Sequence, residues 1–272
     1  MSGAEESIAL VDGATRLYGI IGDPIAQVRS PEVMTARFRA AGRNAIMVPL
    51  HVLPERFDES VPALKSLANL DGLIITVPYK LRIVPHVDRL LPTGAAVRAI
   101  NAMRREKDGS WSGDMFDGRG LVRSMAAEGL AIAGLRVMQL GAGGAGSAVA
   151  FAMAEAGAAA LTLFDVAAAK AADLAARVAA AYPRCAVSVA PATVAGQDIL
   201  INATPVGMTP GDGLPAELGT LDPALLVIDV VMKPPLTPLL RHAEACGCRT
   251  MGGRFMLAGQ VEEVVRFFGI GG

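Results

Sequence analysis

Cysteine, histidine and net charge are all scarce in this sequence, and each shortage closes off a class of function. The three cysteines, Cys185, Cys246 and Cys248, form neither an even disulfide framework nor a CxxC pair, so a reduced, cytoplasmic protein is expected. The three histidines, His51, His86 and His242, are scattered with no HxxxH spacing, so no metal centre is expected. Lysine plus arginine (25) and aspartate plus glutamate (26) nearly cancel to −1, which leaves no basic excess to attract nucleic acid. Residues 1–17 carry acids early and lack the apolar centre of an export signal. Residues 137–154 contain no charge and reach the length at which a membrane span becomes thinkable. Four glycines within six positions make that stretch a poor membrane helix and a good phosphate-binding turn, so no membrane association is expected. No repeat of fixed period is present, and the alanine runs are helix formers.

Apolar residues, by contrast, are plentiful. With 272 residues, 52% of them hydrophobic, and a mean hydropathy of +0.43, the chain can bury a large core in one large or two compact domains. Its first part alternates strand-like runs at 17–22, 45–50 and 72–77 with helical patterns at 31–42 and 54–67, the former helix N-capped by Ser30. The strand-like runs are apolar throughout, which predicts a parallel sheet buried on both faces. Short strands follow near 99–104 and 110–113, around the polar turn 107–110. A helix from Gly118 then leads into a second series, with strands at 135–140, 160–164, 187–190, 198–202 and 225–229 and an alanine-rich helix at 167–181. Residues 251–268 read as a helix that returns to the first part.

In the second series the strand ending at Leu140 runs into Gly141-Ala-Gly143-Gly144-Ala145-Gly146, a GxGxxG pattern at a strand-to-helix turn. Glycine allows positive φ and lets backbone N–H groups approach a pyrophosphate at the helix N-terminus. The next strand ends in Asp165, nineteen residues after Gly146, close to the spacing expected of a carboxylate that binds ribose hydroxyls. Gly141, Gly143, Gly144, Ala145 and Asp165 are therefore candidate dinucleotide contacts. A 2′-phosphate would meet Asp165 as a like charge, and Val166-Ala-Ala-Ala169 offers no arginine to neutralise it, although Lys170 is near. NAD is predicted over NADP.

Six segments then occur in a telling order: Gly22-Asp-Pro-Ile-Ala-Gln-Val-Arg-Ser30-Pro31, Thr76-Val-Pro-Tyr-Lys80, Ala99-Ile-Asn101, Gly113-Asp-Met-Phe-Asp117-Gly118, Ile201-Asn-Ala-Thr204-Pro-Val-Gly-Met208 and Gly253-Arg-Phe-Met-Leu-Ala-Gly-Gln260. Together they resemble the motifs of the shikimate dehydrogenase family along nearly the whole chain. The resemblance implies an α/β protein with an N-terminal substrate domain, residues 1–117 joined by 251–272, and a Rossmann-type doubly wound dinucleotide domain, residues 118–250. It implies reversible hydride transfer between the nucleotide and a secondary alcohol of a small cyclic hydroxy acid such as shikimate or quinate, by a monomer or homodimer. Lys80 and Asp117 would be the catalytic pair. Thr76, Asn101 and Gln260 would hold ring hydroxyls, Ser30 the carboxylate, and Thr204, Val230 and Gly253 would lie along the nicotinamide. The chemistry suits these residues, because oxidising an alcohol requires a base for the hydroxyl proton while hydride departs. Substitutions at Lys80 or Asp117 are expected to spare cofactor binding, since the glycine turn is distant in sequence.

The chain departs from that family at chemically pointed places. Gln27 and Val28 stand where the family has histidine and serine, Ile74 replaces an asparagine, Met115-Phe116 replace Asn-Thr, and Met232 replaces a tyrosine. Val28 and Met232 remove hydroxyls that in the family grip the substrate carboxylate. Hydrogen bonds to a charged group are worth roughly 1.5–3 kcal/mol, so losing two weakens carboxylate binding by ~10²–10⁴-fold unless something compensates. Arg29 is a candidate compensator, or it faces solvent. Two further readings stay open: a dehydrogenase of the same fold for a substrate without that carboxylate, and a non-catalytic dinucleotide-binding regulator. The Lys80–Asp117 pair speaks against the second.

Overall fold

The structure, a computed structural model, describes residues 11–270, so most of the acidic amino-terminal stretch lies outside it. Three strands, β1 (Arg16–Gly22), β2 (Ala45–His51) and β3 (Leu70–Ile75), run parallel, connected by helices α1 (Ser30–Ala40) and α2 (Phe57–Lys65). The strand β4 (Arg89–Leu90), helix α3 (Pro92–Val97) and strands β5 (Ala102–Arg105) and β6 (Trp111–Asp114) complete a sheet of order β2-β1-β3-β5-β6-β4.

The three apolar runs form parallel strands as they predict, and the short strands that follow make the rest of the sheet mixed. β5 lies antiparallel to both β3 and β6. For β5 and β6 the cause is local: Gly109 sits at φ +86°, and the Asp108 carboxylate accepts the Ser110 N–H at 3.0 Å. That closes a tight hairpin, which can only join antiparallel strands.

Helix α4 (Asp117–Ala127) leads into the second sheet. Its strands β7 (Arg136–Leu140), β8 (Ala160–Phe164), β9 (Ala186–Val189), β10 (Ile199–Asn202), β11 (Leu226–Asp229) and β12 (Arg249–Met251) are ordered β12-β11-β10-β7-β8-β9 and are all parallel. Helices α5 (Gly144–Glu155), α6 (Ala168–Ala181) and α7 (Pro238–Ala245) supply crossovers. This is the doubly wound order, and its ligand crevice opens where the order reverses, outside the carboxyl ends of β7 and β10.

Helix α8 (Gly253–Phe267) returns to the first sheet, where Val261, Val264 and Phe267 join Tyr18, Met34 and Phe38 in one buried cluster. It crosses α4 at a glycine contact. A methyl group on Gly259 would lie 2.0 Å from the Gly120 carbonyl oxygen, and one on Gly120 would lie 2.6 Å from the Gln260 nitrogen. Only bare backbone permits that approach, and it brings Gln260 to the start of α4. Among the described residues, no helix is long and apolar enough to cross a membrane.

Candidate active site

Beyond β3 the chain turns through Thr76-Val-Pro-Tyr-Lys80. The Tyr79 ring stacks on Phe57 with centroids 4.2 Å apart, the Tyr79 N–H donates to the Thr76 carbonyl at 3.0 Å, and the Lys80 carbonyl accepts from Ile100 N–H at 2.9 Å. So anchored, Lys80 extends a side chain that is only 12% exposed to the first residue of α4. Its Nζ lies 2.5 Å from Asp117 Oδ2.

Asp117 has no exposed surface, and its second oxygen accepts from Asn101 Nδ2 at 2.6 Å and Gln260 Nε2 at 2.8 Å. The Asn101 amide cannot turn round without loss, because its Oδ1 accepts the Phe116 N–H at 2.9 Å. One cation and two amides thus satisfy a buried carboxylate, as burial of a charge requires. An ammonium at Lys80 keeps further hydrogens for a ligand; a neutral amine keeps a lone pair. Met115 and Phe116, departures from the family pattern, are buried, and Phe116 packs on Phe267 with centroids 5.1 Å apart. The Asp117 turn is held by apolar packing at those two positions.

Thr76 is half-buried, its methyl filling the space above Gly22, and its hydroxyl makes no hydrogen bond among the described residues. Ser30 is not the N-cap. The helix starts one residue earlier than its pattern suggests, with Arg29 in the cap position and no side-chain cap bond. The physical reason is that Arg29 has already turned to φ −115°, ψ −8°, so its carbonyl accepts from Val33 N–H. The buried Ser30 hydroxyl is therefore not consumed by capping.

The glycine turn takes the form its residues predict. Gly141 sits at φ +99°, and a methyl on Gly146 would lie 2.2 Å from the Gly141 carbonyl oxygen. Nothing lies within 4 Å of where a Gly143 methyl would be, so backbone is open to a ligand there. Ala145 stands half-buried in the first turn of α5. Asp165 Oδ2 accepts the Ala142 N–H and Oδ1 the Ala167 N–H, both at 2.8 Å, which fixes the carboxylate beside the turn. Val166 is 95% exposed and Lys170 is exposed on α6. An open glycine turn, a helix N-terminus and a fixed carboxylate suit a dinucleotide.

Distance in sequence misleads at one point. A methyl on Gly144 would lie 2.9 Å from Lys80 Cβ, so the glycine turn and the lysine are in contact. The two domains meet directly here.

Thr204, Val230 and Gly253 gather at the carboxyl ends of β10 and β11. The Thr204 hydroxyl donates to Asn202 Oδ1 at 2.7 Å and accepts from Val206 N–H, which shapes its loop. Val230 N–H donates to the Asn202 carbonyl at 3.0 Å, and a methyl on Gly253 would lie 2.5 Å from the Val231 carbonyl oxygen. Underneath lie residues that motif reading missed. Asp229, fully buried, accepts from Asn202 Nδ2 at 3.1 Å, Val231 N–H at 3.0 Å and the Thr237 hydroxyl at 2.6 Å. Burial pushes the Asp229 carboxyl above its ordinary range against those bonds. The available signal was a polar residue ending each of two apolar strands.

At the remaining departures, the Gln27 amide folds back onto the Pro24 carbonyl at 2.6 Å, and Val28 packs against the cluster of Tyr18, Met34 and Phe38. Ile74 is buried in β3, and Met232 is half-buried after β11. Arg29 is exposed and paired to Glu32 at 2.5 Å.

Comparison with known proteins gives the family and the fold. The family model described as the shikimate dehydrogenase substrate binding domain matches residues 20–103. A shikimate dehydrogenase (NADP(+)) of Rubrobacter xylanophilus is 36% identical over 264 residues, covering 96% of this chain and 93% of the relative. Among solved structures, quinate dehydrogenase from Corynebacterium glutamicum in complex with NAD superposes with a TM-score of 0.80 at 32% identity, covering 93% of each chain. The ligand-free 5-ketofructose reductase of Gluconobacter sp. strain CHM43 gives a TM-score of 0.79 at 30% identity, covering 93% of this chain and 92% of that one. In sequence over nearly its full length and in fold, this chain belongs to the shikimate dehydrogenase family of nicotinamide-nucleotide oxidoreductases.

Proposed function

We propose that this protein catalyses reversible hydride transfer between NAD, in preference to NADP, and a secondary alcohol of a cyclic hydroxy acid, and that it handles shikimate itself poorly. The observation that carries the reading is the buried Asp117, holding Lys80 on one oxygen and Asn101 and Gln260 on the other. In this reading residues 1–117 with 251–272 bind the substrate and 118–250 the nucleotide, in a cytoplasmic enzyme whose partner is a small molecule. As the neutral amine Lys80 takes the hydroxyl proton of the alcohol, and as the ammonium it returns that proton in the reverse direction. Asp117 holds the lysine in place and offsets its charge. Thr76, with its free hydroxyl, and the amides of Asn101 and Gln260 orient the ring hydroxyls; Ser30 offers a hydroxyl to the carboxylate. The bound nicotinamide supplies the hydride acceptor or donor. Gly141, Gly143, Gly144 and Ala145 would hold its pyrophosphate, Asp165 its ribose, and Thr204, Val230 and Gly253 its nicotinamide side.

Two features support NAD although curated relatives are named for NADP(+). Asp165 keeps lone pairs beyond its two backbone bonds to accept ribose hydroxyls, and Val166 occupies the adjoining exposed position without a cation. A second reading, a substrate without the carboxylate, is favoured by Val28 on an apolar cluster and by Arg29 engaged with Glu32. The relative named 5-ketofructose reductase shows that this fold also hosts that activity.

Initial rates with shikimate, quinate and a neutral polyhydroxylated ketone, each with NAD(H) and NADP(H), test both. NAD should lead NADP by at least about tenfold in kcat/KM. Val28→Ser with Met232→Tyr should raise kcat/KM for shikimate by about tenfold or more, mainly through KM. A low-micromolar KM for shikimate, unmoved by that double change, would sink the poor-shikimate reading. Faster turnover of the neutral ketone than of either acid would favour the second.

A further inference from the structure

Strand β7 carries one buried polar side chain, and it lies directly beneath the glycine turn. Gln139 has no exposed surface, between Met138 and Leu140, which also have none. Its Nε2 donates to the Gly141 carbonyl at 2.9 Å and to the Gly146 carbonyl at 2.8 Å, the two ends of the turn. Its Oε1 is buried with no partner among the described residues. A buried amide left half-unpaired costs free energy, so an apolar residue here would serve the strand better. The nitrogen end is what this position uses.

The Gly141 carbonyl receives no backbone N–H among the described residues, so Gln139 is its donor. The next atoms in the same peptide plane are the Ala142 N–H, which donates to Asp165 Oδ2 at 2.8 Å. One rigid peptide, the first of the turn, is thus gripped at its carbonyl by Gln139 and at its N–H by the acid at the end of β8. The grip matters because residue 141 is a glycine, which by itself restricts the orientation of the following peptide less than any other residue would.

We infer that Gln139 is a positioning residue for the cofactor. By holding the Gly141–Ala142 peptide it keeps the turn's carbonyls pointing inward, leaves the N–H groups of Gly143 to Ala145 for a pyrophosphate, and seats the Asp165 carboxylate against the ribose. This role rests on the reading of the turn as the nucleotide site.

Gln139→Met keeps the length of the side chain and removes both donors. The dissociation constant for NADH, read by fluorescence titration, should rise about tenfold, with KM for NAD rising more than kcat falls. Asp165→Ala should weaken NADH as well, and the double variant should be less than additive because both residues act on one peptide. Gly143→Val is the control for the parent reading, since its side chain meets open space in the free protein and enters the space above the turn. Normal NADH affinity in Gly143→Val overturns the turn as nucleotide site, and the inference with it. Loss of affinity there, with wild-type affinity in Gln139→Met, overturns the positioning role alone. If Gln139→Met does not fold, Gln139→Asn decides in the same titration: it retains the amide but withdraws it from both carbonyls, and an unchanged dissociation constant overturns the inference.

Discussion

Asp117 and Asp229 are both sealed from solvent, one in each domain, yet they are held in different ways. Asp117 faces the amine of Lys80, with two amides on its other oxygen. Asp229 receives only neutral donors, from Asn202, Val231 and Thr237, and burial raises its pKa. A carboxylate beside a cleft-facing amine can steer a proton-transferring group. A carboxylate ringed by neutral donors cannot; it ties together the loops after β10 and β11 and, through Thr237, the start of α7. The same residue type at the same burial thus stands beside a lysine amine, as the proposed chemistry requires, in one place and among neutral loop donors in the other, and the kind of partner makes the difference.

The largest expected effect attacks the Asp117 side. Lys80→Ala should lower kcat by ~10²–10⁴-fold while KM for substrate changes less, with Asp117→Asn moving in the same direction. Because Lys80 also packs on Gly144, NADH affinity should be titrated in parallel. Near-normal turnover in the Lys80 variant would remove the contrast altogether.

Next comes the Asp229 side. Asp229→Ala strands three buried donors and should cost about 2–4 kcal/mol in urea unfolding, with a smaller loss of kcat than Lys80→Ala gives. Wild-type stability in that variant would mean that the loops are held by something else.

A third carboxylate, Asp165, sharpens the comparison, since both its protein partners are backbone N–H groups. Asp165→Asn with Val166→Arg should shift the NAD-to-NADP ratio of kcat/KM toward NADP by about tenfold. An unchanged ratio would place the discrimination elsewhere.

The smallest effect is in pH. Burial raises Asp114 as it does Asp229, above the ordinary value of 3.8, although Asp114 accepts the Gly94 N–H. The folded chain then binds these protons more tightly than the unfolded chain. Stability from this source is complete below the unfolded value and is lost as pH rises through the raised folded value. The stability of wild type relative to Asp114→Asn should therefore increase as pH falls from about 7 to about 4 in denaturant titrations. A difference independent of pH would show that Asp114 does not titrate in that range.

Much of this was legible without coordinates. The central strands β10 and β11 are short, mostly apolar runs buried along their whole length, a pattern that reports two-sided burial. The glycine turn and Asp165 were legible because their spacing is set by local chain geometry, strand to turn to helix to strand. The strand β12 and helix α7 went unread, since three residues and eight residues carry little periodicity. Gln139 stood in plain view as a polar residue in an apolar strand, but nothing in the sequence says which carbonyls lie above it.

By itself, then, the sequence determined element type, the composition of the nucleotide turn and the identity of the polar residues near strand ends, because these follow from periodicity and short-range sterics. Only the tertiary structure decided pairing direction and encounter. β5 pairs antiparallel with β3 after a connection of some length, and bare backbone at Gly120 and Gly259 let α4 and α8 cross closely. That crossing brings Gln260 to Asp117 from 143 residues away, while Lys80 reaches it across 37. Such contacts carry no local signature, since they depend on how whole surfaces pack and on which side chains are small enough to let them.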